Sequence, residues 1–71
     1  MNEDKREKFK KLATKRTNAV LEKLRLLGNL SNKTNYDYSG EEVSRIFYAI
    51  DNQLKLVKAL FAGKEKKKFQ L

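Results

Sequence analysis

The sequence predicts an all-α protein, an antiparallel hairpin of two helices over about residues 4–27 and 40–62. Apolar residues recur at helical spacing in two long segments. A stretch rich in turn-forming residues, GNLSNKTNYDYSGEE, separates the two segments, and its last part can cap a helix. With 71 residues the chain makes one domain, 1–62, followed by a basic tail, 63–71, that is expected to be flexible.

The first helix is predicted from an apolar face at steps of three, four and seven, made of Phe9, Ala13, Val20, Leu24 and Leu27. Gly28 follows the last of these residues and is expected to end the helix in the left-handed conformation, which Asn29 also tolerates.

The turn has a structural interpretation that accounts for most of its residues. Ser39 and Glu42 match a capping box, and Tyr38 and Val43 have the spacing of a hydrophobic staple. The remaining polar side chains are expected to bond free backbone groups, and they are Asn29, Ser31, Asn32 and Asn35. The alternative is a binding site built on these asparagines.

The second helix is predicted from one apolar stripe formed by Val43, Ile46, Phe47, Ile50, Leu54, Val57 and Phe61. Gly63 is expected to stop it.

The pattern R-T-N at 16–18, then R-x-x-G-N-L-S-N-x-x-x-Y-x-Y from Arg25 to Tyr38, resembles a family of short, uncharacterised bacterial proteins. The resemblance extends over most of the chain from Phe9 to Phe61. It implies a helical hairpin, and it implies no activity.

Both predicted helices have apolar residues beside the main stripe. In the second helix the apolar arc spans about 180°, which is wider than contact with one neighbour requires. The sequence therefore predicts a homodimer of hairpins, a four-helix bundle, or a partner protein in place of the second copy. The candidate interface consists of Leu12, Ala19, Leu26, Ala49, Leu56 and Leu60. The alternative is that these residues are simply exposed.

Positive charge is concentrated towards both ends of the chain. The chain has 17 Lys and Arg against 9 Asp and Glu, a net charge of +8, whereas residues 17–54 have a net charge of −1. Such segregation favours a polyanion as partner, and nucleic acid bound through its phosphates is the main prediction. The candidate binding residues are Lys5, Arg6, Lys8, Lys10, Lys11, Lys15, Lys64, Lys66, Lys67 and Lys68. Lysines that only maintain solubility and an anionic membrane surface are the alternatives.

The residue types argue against enzymatic activity. The sequence has no His and no Cys, and it contains neither a Gly-rich phosphate loop nor a clear pair of carboxylates. We therefore predict no catalytic residue, no metal site and no cofactor. No apolar run approaches the roughly 20 residues of a membrane span, and the charged start MNEDKREKFK is unlike a signal peptide, so a cytoplasmic protein is expected.

Overall fold

The computed structural model describes residues 2–63, which contain two long helices and no strand and so confirm the all-α class. Helix α1 is Asn2–Gly28, a 3-10 turn follows at Asn29–Ser31, and helix α2 is Gly40–Phe61. The chain divides into two units after Asp37. The predicted tail from Lys64 onward, with Lys66, Lys67 and Lys68, lies outside the described residues.

The end of α1 differs from the prediction at Gly28. Its φ of −63° and ψ of −25° are right-handed helical values, and no glycine among residues 2–63 has a positive φ. The left-handed cap predicted at Gly28 or Asn29 is therefore wrong. The helix instead tightens into the 3-10 turn, whose i to i+3 hydrogen bonds use carbonyls that a helix end leaves free.

Replacing Gly28 by Ala is expected to raise the free energy of unfolding by about 0.5–1 kcal/mol. An alanine is compatible with the helical φ and ψ, a Cβ there would have no other atom within 4 Å, and the unfolded chain would lose freedom. Thermal or urea unfolding measures the change. A destabilised variant would mean that Gly28 is left-handed after all.

Asn32 organises the turn after α1. Its side-chain Oδ1 accepts a hydrogen bond from the backbone amide of Thr34 at 2.9 Å. Its carbonyl oxygen accepts from the amides of Asn35 at 3.1 Å and Tyr36 at 3.0 Å. The side-chain bond is an Asx turn, which replaces the backbone hydrogen bonds that the chain loses when it leaves the helix. The expectation that turn asparagines bond the backbone is thus confirmed at Asn32.

The start of α2 has the predicted capping box. The Ser39 Oγ accepts from the amide of Glu42 at 3.1 Å, and the Glu42 Oε1 accepts from the amide of Ser39 at 2.9 Å. Tyr38 and Val43, at the two positions of a hydrophobic staple, are among the few half-buried residues. Glu41 and Glu42 also place negative charge at the positive end of the helix dipole.

Replacing Ser39 by Ala is expected to lower the free energy of unfolding by about 1 kcal/mol, because the Glu42 amide loses its acceptor. Helix content by circular dichroism should fall at the same time. Ser44→Ala is the matched control, since Ser44 lies inside α2 and caps nothing. Equal stability of the Ser39 variant and the parent protein would show that the cap does not contribute to the free energy of unfolding.

The end of α2 also differs in detail from the prediction. The helix ends at Phe61, and the amide of Ala62 donates to the carbonyl of Lys58 at 3.1 Å. Gly63 does not adopt the left-handed conformation of a glycine cap. The final hydrogen bond therefore comes from Ala62, whose φ of −97° and ψ of 8° are no longer helical, and not from a glycine.

Candidate functional site

The apolar side chains of both helices are accessible to solvent. None of residues 4–63 is buried, and only six are half-buried. Leu56 and Leu60, both candidate interface residues, are 61% and 80% exposed, and Leu12 is 38% exposed. Ala19, Leu26 and Ala49 are exposed as well. All six candidate interface residues are thus available for contact with another surface.

Helix α2 has two separate apolar seams, each with the alternating three- and four-residue spacing of a coiled-coil contact. We call the first the Phe47 seam, and it comprises Val43, Phe47, Ile50, Leu54, Val57 and Phe61. We call the second the Gln53 seam, and it comprises Ile46, Ala49, Gln53, Leu56 and Leu60. At about 100° per residue the two seams lie about 100° apart around the helix. A helix with two such seams has room for two neighbouring helices, as in a bundle.

Helix α1 has a comparable second seam, but charges interrupt it. Leu12, Ala19 and Leu26 repeat every seven residues, and Arg16 and Lys23 occupy the heptad positions between them. A seam that alternates apolar and cationic residues would bring like charges together if it faced a copy of itself. The second seam of α1 is therefore less suited to self-association than the seams of α2.

Five of the nine basic residues of α1 fall within a segment that has no acidic side chain. Between Glu7 and Glu22 the helix has five basic residues, and they are Lys8, Lys10, Lys11, Lys15 and Arg16. Lys8, Lys11 and Lys15 share one face, because they are spaced by three and four residues. All three are exposed, and they extend over about 10 Å of the helix axis at 1.5 Å per residue. We call these three residues the lysine face.

The other basic candidates are not on the lysine face. Arg6 and Lys10 are exposed on α1 but lie on other sides of the helix, whereas Lys5, three residues before Lys8, borders the lysine face. Of the predicted binding residues in the described part of the chain, Lys8, Lys11 and Lys15 are brought together on one face, and Lys5 lies at its border. The signal that finds them in the sequence is the run without acidic residues, combined with spacing by three and four.

Arg25 is not part of the lysine face and forms an ion pair with Glu22. Its Nη2 and Nε donate to the two carboxylate oxygens of Glu22 at 2.6 Å and 3.1 Å. This hydrogen bond lowers the pKa of Glu22 and raises the pKa of Arg25. The stability that Glu22 contributes is thus present at neutral pH and is lost as the pH falls through its lowered pKa. At neutral pH a phosphate would have to compete with the Glu22 carboxylate for the Arg25 guanidinium.

The described residues show no group of three or more carboxylates positioned to hold a metal ion. Neither α1 nor α2 is long and apolar enough to cross a bilayer. Asn32 of the asparagine-rich turn has a structural role, whereas the lysine face and the apolar seams are exposed to solvent.

Comparison with protein-family models, with curated proteins and with solved structures finds no match to the chain.

Proposed function

We propose that the protein is a small, non-enzymatic accessory protein that binds nucleic acid through phosphate contacts. The observation that carries the proposal is the lysine face, three exposed lysines on one side of a helical segment without carboxylates. Lysine is a compact cation on a flexible stem, well suited to phosphate oxygens and poorly suited to reading bases. The expected binding is therefore strong at low salt and indifferent to sequence.

The proposed binding unit is a homodimer. Exposed apolar residues on both helices support it, because covering them contributes roughly 25 cal/mol per Å² of apolar area removed from water. A chain of this size without disulfides also benefits from association, since a short chain buries little surface by itself. A dimer would present two lysine faces, and two cationic faces on one particle increase affinity for a long polyanion.

Titration with duplex DNA, single-stranded DNA and RNA at about 50 mM salt tests the proposal, because electrostatic binding is strong under that condition. Fluorescence anisotropy should show saturable binding to all three, with similar affinities for unrelated sequences. Absence of binding to all three would overturn the proposal. Strong preference for one sequence would overturn the phosphate mechanism.

The second candidate function is a protein-interaction module. The exposed Leu56 and Leu60 favour it, since they form part of an apolar seam on one side of α2. In that case the apolar seams are occupied by another protein, and the lysines serve only solubility. A monomer that binds no nucleic acid would favour this function over the first.

A further inference from the structure

The Gln53 seam of α2 has no half-buried member, whereas the Phe47 seam includes the half-buried Val43 and Ile50. It also contains one polar side chain, Gln53, in the middle of an apolar row. A polar residue at the centre of a coiled-coil seam reduces stability but fixes register and the number of strands. These features prompt the question of which surface covers the Gln53 seam.

We infer that the Gln53 seam is covered by the same seam of a second copy, with the two α2 helices antiparallel and Gln53 next to the two-fold axis. The inference rests on the proposed homodimer and specifies which helix forms its centre. A two-fold axis requires a self-complementary surface. The amide of Gln53 meets this requirement, because it has both donors and an acceptor and can bond its own copy.

Net charge favours α2 over α1 for this contact. Helix α1 has nine basic and four acidic residues, a net charge of +5, while α2 has three of each. Two α1 helices at the axis would repel one another and would also bring together Arg16 and Lys23 of both copies. Two α2 helices have no such repulsion, and like charges placed opposite each other are costly in interfaces.

The position of Glu42 favours the antiparallel orientation. Glu42 lies four residues before Ile46, in line with the Gln53 seam. A parallel pair would place Glu42 of the two copies side by side, and like charges placed opposite each other are costly. An antiparallel pair with Gln53 at the axis separates the two glutamates by about 33 Å along the helices and also opposes the two helix dipoles.

Single-cysteine variants test the inference cleanly, because the chain has no cysteine of its own. Gln53→Cys should form a covalent dimer with a short bismaleimide in high yield. Ile46→Cys and Leu60→Cys should react poorly, since seven residues from the axis add about 20 Å of separation along antiparallel helices. Ala49→Cys, in the same seam at about 12 Å, should be intermediate and replaces Gln53→Cys if that variant dissociates.

The controls separate this inference from the proposed homodimer. Circular dichroism should show parental helix content for each variant, and light scattering should give its mass. Ala19→Cys in the α1 seam should cross-link poorly, and efficient reaction there with none at residues 49 and 53 would overturn the inference while leaving the dimer. Equal reaction at residues 46, 53 and 60 would mean a parallel pair and would also overturn it. A parent protein that is monomeric by light scattering would overturn the homodimer itself, whatever its affinity for nucleic acid.

Discussion

Changing Lys8, Lys11 and Lys15 together to Gln is expected to lower the salt dependence of nucleic-acid binding sharply. Each phosphate contact contributes about 0.9 to the slope of log affinity against log salt on duplex DNA, so three contacts contribute about 2.7 for each engaged protomer. Between about 50 and 200 mM salt the parent should therefore lose about 40-fold more affinity than the variant, for one engaged protomer. Anisotropy titrations over that salt range measure both slopes.

The matched control removes the same total charge elsewhere. Lys33, Lys55 and Lys58 lie outside α1, so their joint change to Gln leaves the lysine face intact. We expect only a small decrease in slope, from the lower net charge. Equal decreases in the two triple variants would show that net charge alone governs binding, and the lysine face would then have no special role. Changes at Asn29 and Tyr36 in the turn should leave the slope unchanged.

Leu56→Glu is expected to convert the proposed dimer into a monomer. Leu56 is in the Gln53 seam and is 61% exposed in the isolated chain, so it has apolar area to bury on association. Losing the burial of one partly exposed leucine per protomer removes about 1 kcal/mol twice, about 2 kcal/mol per dimer, and the cost of burying two carboxylates is added to this. The dissociation constant should rise by at least about a hundredfold.

Light scattering over a concentration series measures this change, together with the concentration dependence of the melting temperature. Tyr48→Glu is the control, because Tyr48 is 70% exposed and lies away from both seams of α2. It adds the same charge and should leave the mass of the particle unaltered. If Leu56→Glu stays dimeric at the parental affinity, α2 does not form the centre of the interface.

The apolar periodicity of the sequence is sufficient to predict two helices. The capping box was also predictable, because Ser39 and Glu42 act within one turn of chain and need only their own backbone. The capped helix start that the sequence predicts at Ser39 is therefore confirmed to the residue.

The candidate site was predictable only in part. The surplus of lysine is evident from composition, but ten basic residues at two ends of the chain do not identify a face. The face becomes defined once α1 is known to be helical and continuous, since Lys8, Lys11 and Lys15 then share one side and Arg6 and Lys10 do not. The two seams of α2 are likewise defined once the first and last residues of the helix are known.

The sequence by itself thus determined the helical class, the start of α2 and the amphipathic faces, all of which depend on interactions between residues three or four apart. The three-dimensional structure decided how α1 ends. Glycine after an apolar row is compatible with both left- and right-handed backbone, because it lacks the Cβ that would make the left-handed form unfavourable. In the structure Gly28 is right-handed, a 3-10 turn follows it, and Asn32 after this turn accepts hydrogen bonds from three backbone amides.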